Sequence, residues 1–211
     1  MSILTVSPAR CPKVGRLPRL SLYFHGLAVG MFLLALVGTG TAQASSAASG
    51  ESSKLVQSFF DYLLKPGTNV EADPAAQAKW LGTNLKALLT ESAQAVREAQ
   101  KLPGVAGPAP KVPVNDTFLD SWDYPSVCKV ESVNEGAGIT DVHVLCTWGA
   151  GTNYPGLIKK GVVSVAKEAG EPRITAIRWQ EAEYSGAGDV VQNLETLKAE
   201  ALELIKRGGD L

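Results

Sequence analysis

Val142-His143-Val144-Leu145-Cys146-Thr147-Trp148 sets Val142, Val144, Cys146 and Trp148 against His143, Leu145 and Thr147. A repeat of two marks a half-buried strand, because successive side chains of an extended chain point to opposite faces. The pattern predicts a strand over residues 139–148. Upstream, Asn134-Glu135-Gly136-Ala137-Gly138 is turn chemistry, and residues 127–133 read as the partner strand. Downstream, Thr152-Asn153-Tyr154-Pro155-Gly156 leads into a strand over residues 157–167, with Val163 and Val165 set against Val162 and Ala166. Glu168-Ala169-Gly170-Glu171-Pro172 turns into a fourth strand over 173–183, with Ile174 and Ala176 on one face and Ile177 and Trp179 on the other. Short turns between consecutive strands predict an antiparallel meander.

Helical spacing flanks this meander. Leu55, Val56, Phe59, Phe60, Leu63 and Leu64 recur every three or four residues, so a helix is expected over 54–64, stopped by Pro66-Gly67. Residues 45–53 are small and polar and read as a flexible start. Asp73-Pro74 predicts an N-cap followed by proline at the first helical position, opening a short helix to about Leu81. Thr83 is the expected cap of a longer helix to Lys101, with Leu85, Leu88, Leu89, Ala95 and Val96 inward. Residues 102–113 read as a loop and Gly186 to Gly188 as a spacer. Residues 189–207 form an amphipathic helix through Val190, Leu194, Leu197, Ala201, Leu204 and Ile205. Helices, then a curved antiparallel sheet of about four strands, then one late helix define an α+β fold with helices on one sheet face.

The chain has 211 residues, 45% hydrophobic and 19% charged, which excludes collagen-like, low-complexity and wholly disordered classes. Arg10, Lys13, Arg16 and Arg19 precede an apolar run from Leu20 to Val37, and Ala42-Gln43-Ala44 fits the small-x-small rule for a signal peptidase. A signal peptide over 1–44, cut between Ala44 and Ser45, is the reading; an uncleaved anchor is its rival. The leader holds four basic residues and no acidic one. The remainder therefore has 20 − 4 = 16 Lys and Arg against 21 Asp and Glu, a net charge of −5. A mildly acidic domain without a basic tract does not suit nucleic acid. The expected location is periplasmic or extracellular, with no stable membrane anchor after cleavage.

Cys128 and Cys146 are the cysteines left after the leader, and export favours pairing them. A hairpin folded near Gly136 brings the two positions together. His143 is the one histidine beyond the leader, so a zinc site lacks ligands and no metal is expected.

Candidate chemistry is sparse. His143 and Asp141 share a strand face, where the carboxylate can orient the imidazole as a general base; the alternative is a solvent-facing polar strand side. Asp116, Asp120 and Asp123 gather with Trp122 and Tyr124 before the first strand, either as acid–base or cation-binding groups or as turn caps. Trp148, Trp179, Tyr154 and Tyr184 lie near strand ends, as a binding mouth or as core, and Arg178 can meet an anionic ligand if it points inward. Asn115-Asp116-Thr117 is a glycosylation sequon, relevant to a eukaryotic secretory route. Gly149-Ala150-Gly151 does not open a helix after a strand and fails as a phosphate loop, and no Gly-x-Ser-x-Gly is present.

The helix over 54–64, Lys79-Trp80-Leu81-Gly82-Thr83-Asn84-Leu85, Phe118-Leu119-Asp120-Ser121-Trp122-Asp123-Tyr124-Pro125 and the strand ending Pro172-Arg173-Ile174-Thr175-Ala176-Ile177 together resemble a family of small secreted bacterial proteins. That family is similar to the nuclear transport factor 2-like (cystatin-like) fold. The likeness covers residues 55–183 and implies a bent sheet around helices, often with a conical pocket. The C-terminal helix and the cysteine pair stand outside it. Because fold does not fix function, the expectation is set by the missing catalytic constellation. It is an exported, non-enzymatic binding or interaction module of the bacterial cell envelope, without cofactor, for a small ligand or an envelope protein. Two alternatives stand beside it. One is a pocket enzyme, isomerase or hydrolase-like, using His143 with Asp120, Asp123 or Asp141. The other is a structural or immunity-type protein, including a homodimer, acting through the C-terminal helix.

Overall fold

A computed structural model of the chain describes residues 41–102, 115–121, 123–180 and 188–208. In chain order they form α1 (Thr41–Leu63), α2 (Pro74–Trp80), α3 (Thr83–Gln100), α4 (Asn115–Leu119), β1 (Val127–Glu135), β2 (Ile139–Thr147), β3 (Ile158–Glu168), β4 (Glu171–Trp179) and α5 (Val190–Gly208). The four strands make one antiparallel meander in the order β1-β2-β3-β4. The fold is α+β, with the helices on one face of the sheet and a C-terminal helix beside them.

The inner face of the sheet carries Cys128, Val142, Val144, Cys146, Val163, Val165, Ile174, Ile177 and Trp179, all buried in one core with Val56, Phe59, Phe60, Leu63, Leu85, Leu89, Phe118 and Leu194. Phe59 meets Phe60, Trp80 and Phe118 edge-on at 5.7, 5.9 and 5.6 Å between ring centres. Such pairs add to the burial of apolar area that drives the packing.

Strict alternation fails at two places, and both are bulges. The β1–β2 register shifts between Val130 and Ser132, so Val130 and Val133, three apart, both pack inward. The β3–β4 register shifts between Ser164 and Val165, which leaves Thr175 as the extra residue. Ile174 and Ile177 therefore share the inner face, and Ala176 lies opposite Ser164 on the outer one. The sequence expectation that separated Ile174 from Ile177 is corrected by this inserted residue, since a bulge resets the parity of a strand.

Helix boundaries follow local chemistry. The Asp73 carboxylate accepts the N–H groups of Ala75 and Ala76 and caps α2 as expected; these bonds hold its pKa below the usual aspartate value. Thr83 does not cap α3. Gly82 holds the cap position, and Glu168, from the far end of β3, accepts both the N–H and the hydroxyl of Thr83 at 2.9 and 2.8 Å. The helix of residues 54–63 extends back to Thr41 and takes in the stretch expected to be a flexible start, and Ser52 is buried. The loop expected over 102–113 lies, beyond Leu102, outside the described residues, and so do Asp116's side chain, Trp122 and Tyr184.

The late helix buries its own stripe. Ser92 of α3 donates to the carbonyl of Leu194, and Leu102 meets Gly208, so α3 and α5 run in the same direction. Ala95, Val96 and Ala99 pack against Ala201, with Leu197, Leu204 and Ile205 around them. The apolar stripe that the structural-protein alternative assigned to a partner is thus packed against α3 and the core.

Both sheet edges are occupied in part. Gln57 of α1 donates to the carbonyl of Cys128 and accepts the N–H of Val130, pairing with β1 as a strand would. On β4, Gly82 N–H bonds the Ile174 carbonyl and Trp179 N–H bonds the Gly188 carbonyl. Covered edges and a bulge oppose edge-to-edge association.

Candidate functional site

The outer sheet face collects the polar residues that the alternation placed there. Asp141, Ser164 and Ala176 form one rung across β2, β3 and β4; His143, Val162 and Arg178 form the next. The Ser164 hydroxyl donates to Asp141 Oδ1 at 2.7 Å. Arg178 crosses from its own rung to donate to Ser164 Oγ at 3.0 Å, with its guanidinium 3.8 Å from Asp141 Oδ1. His143 turns the other way, with Nε2 2.9 Å from Asn134 Nδ2 on β1.

Asp141 and His143 share the expected face, yet Asp141 is committed to Ser164 and Arg178 and does not orient the imidazole. The arrangement is a fixed hydrogen-bonded cluster on an open surface, with a guanidinium about half exposed at its margin.

Asp120 and Asp123 lie apart from it, beyond one end of the sheet. Asp123 is a loop clamp. Its carboxylate accepts the N–H of Asn153 at 2.7 Å, and its backbone carbonyl accepts the Trp148 indole N–H at 2.8 Å and the Ser121 hydroxyl. Trp148 and Trp179 are buried. The indole of Trp179 donates to the Phe118 carbonyl, and its ring stands edge-on to Phe60. With both tryptophans in the core and Tyr154 exposed, the expected aromatic mouth is not assembled from them.

Asp120 has a partner that the sequence reading missed. Lys159, only 1% exposed, places its ammonium 2.7 Å from both the carboxylate and the backbone carbonyl of Asp120, and 5.2 Å from the centre of the Trp179 ring. Burial lowers the Lys159 pKa, while the bond and charge of Asp120 oppose that fall. Asp120 sits at a φ of +47°, and Gly188 lies so close that a side-chain carbon there would meet the Asp120 carboxylate at 2.6 Å. Two bonds and a ring face engage the ammonium, so the pair is an electrostatic clamp joining the end of α4, β3 and the approach to α5. The signal was present: Lys159 shares the parity of the inward-facing Val163 and Val165.

Gly161 on β3 serves the same corner, because a side-chain carbon there would stand 2.8 Å from the Trp179 ring. Gly161→Ala is expected to displace that ring and cost about 2 kcal/mol, read as a lower urea midpoint at unchanged slope; an unaltered midpoint would disprove the close fit.

Asn115, of the sequon, is buried. Its amide donates to the carbonyls of Leu63 and Thr68 and accepts the N–H of Val70, so in the folded chain it is a structural hub and closed to glycosylation. Among the described residues no group of three or more His, Cys, Asp or Glu side chains is gathered as a metal site would need, and no helix is long and apolar enough to cross a membrane. No protein-family model, curated protein or solved structure matches the chain.

Proposed function

We propose that the chain is an exported, non-enzymatic interaction module of the bacterial cell envelope that takes a partner protein on its outer sheet face. The single observation carrying this reading is the segregation of the fold. The helices pack on the inner face, while the outer face presents the fixed Asp141–Ser164–Arg178 cluster beside half-buried Leu145 and Val162 and exposed Ile139. A small ligand calls for a concave site, whereas an open mixed face suits a protein. The enzyme alternative finds less support: His143 pairs with Asn134, Asp141 with Ser164, Asp120 with Lys159, and Asp123 with a loop backbone. The Cys128–Cys146 disulfide supports export. The nuclear transport factor 2-like relationship is proposed on the sequence resemblance over residues 55–183, with α5 as an addition to it.

A photo-crosslinking residue at Val162 in exporting cells tests the reading. The expected result is one discrete adduct with an envelope protein, lost in the Arg178→Glu background while thermal stability is kept. No adduct, or one indifferent to Arg178→Glu, would refute it. Fractionation and N-terminal sequencing test the location separately, with Ser45 as the expected first residue.

A further inference from the structure

Six large hydrophobic residues are exposed among the described residues, and four of them sit at one end of the sheet. Tyr124 (42% exposed) and Val127 (38%) enter β1; Tyr154 (53%) lies in the β2–β3 connection, and Ile158 (54%) opens β3. Val127 and Ile158 flank Thr147 on one rung of the outer face. The two loops that carry the tyrosines are fastened together. Asp123 holds Asn153 and Trp148, Ser126 N–H bonds the Thr147 carbonyl, and Ser126 Oγ accepts the Gly149 N–H. The patch is therefore preformed.

Its charge is layered. Residues 147–158 contain no charged side chain, nor do residues 124–128. The first charges met along the outer face are Lys129 and Lys160, which flank Leu145 on the rung behind, two residues or about 7 Å further along their strands. The opposite end carries both signs, with Glu135, Glu168 and Glu171 at the two hairpins beside Lys167 and Arg173. A tip with tyrosines, whose one carboxylate (Asp123) is taken up by the Asn153 N–H, followed by a cationic layer, matches the depth order of an anionic bilayer surface. Apolar groups reach the acyl boundary, aromatic rings sit at the headgroup level and ammonium groups meet phosphates. The tip is built from two projecting loops rather than a groove, which fits a deformable surface. A second copy set patch to patch would crowd four ammonium groups together.

We propose that this end of the sheet docks the protein peripherally on anionic phospholipid. The proposal rests on the export reading for its setting, but its test is independent of it. Protein purified from the exported fraction is sedimented with vesicles of equal phosphatidylglycerol and phosphatidylcholine, and with phosphatidylcholine vesicles alone. Binding is expected to the first and to be at least tenfold weaker to the second. Lys129→Gln with Lys160→Gln should weaken binding to the anionic vesicles about 30-fold, since each lysine near such a surface contributes on the order of fivefold. Tyr154→Asn with Ile158→Asn should abolish binding to both. Lys167→Gln, at the other end of the sheet, should change nothing. These side chains are exposed, so unchanged thermal unfolding certifies the variants. Equal binding to both vesicle types, indifference to the lysine pair, or no binding would overturn the proposal. So would a dimer in solution that Ile158→Asn dissociates. A failure of export would show in fractionation and leave the vesicle result standing.

Discussion

Asp120→Asn is expected to lower the free energy of unfolding by about 3–5 kcal/mol, the range for removing one partner of a buried ion pair. Asparagine suits the test because it tolerates the left-handed backbone of position 120 and still offers an oxygen to Lys159, so the loss isolates the charge. The asymmetry of exposure sets the direction. Lys159 is sealed against the Trp179 ring, while the Asp120 side chain is 24% exposed, so the ammonium depends on the carboxylate more than the reverse. Lys159→Met should therefore cost less than Asp120→Asn, and the double variant Asp120→Asn/Lys159→Met should return to within about 1 kcal/mol of the parent, since replacing both charges removes the desolvation penalty along with the attraction. The pH dependence has a definite sign. Burial holds the Lys159 pKa below its unfolded value, so between the two the unfolded chain binds more protons, and this group makes stability rise with pH in that alkaline window. In Asp120→Asn the upward pull of the carboxylate is gone and the window opens at lower pH. The deficit of the variant should narrow as pH rises from neutral into the alkaline range. Urea titrations across that range decide the matter: a constant deficit, or a double variant as unstable as the single one, would show that the charge is not what the corner depends on.

The meander was legible because each strand keeps its period over several residues and each turn carries glycine, proline or asparagine. What escaped was whatever depends on pairing between strands. The Thr175 bulge puts Ile174 and Ile177 on one face, yet nothing in Arg173 to Arg178 announces an inserted residue. That Asp141 and His143 share a strand face followed from alternation alone, whereas which side of the sheet that face is, and their partners Ser164 and Asn134, are fixed by packing and the register of neighbouring strands. Lys159 was readable by parity and was passed over because lysine is rarely sealed in a core. The five residues of α4 carry no helical period, with asparagine, aspartate and threonine at their start, and Phe118 and Leu119 anchor them in the core. Tertiary burial there overrides local preference.

Reducing the Cys128–Cys146 disulfide should remove about 3 kcal/mol of stability, the chain-entropy value for a loop closed by cysteines 18 residues apart. Comparison of oxidised with reduced parent protein leaves the side chains in place, so packing changes little and the crosslink is what is measured. At about 2–4 °C per kcal/mol for a chain of this size, the melting temperature should fall by about 6–12 °C. The effect should also be local. β1 is an edge strand held by β2 on one side and by the Gln57 amide on the other, and its bulge follows directly after Val130. Beyond that bulge the register carries no covalent tie, so the disulfide secures the half of β1 that also carries Val127 and Lys129. Amide exchange at residues 127–130 should accelerate on reduction well before exchange in β3, which is paired on both sides. Equal melting temperatures in the two redox states would mean that the unfolded chain already holds these cysteines close. Uniform acceleration across the sheet would mean that β1 and β3 open together. Either result would remove the link between the crosslink and the stability of the edge that presents the docking end.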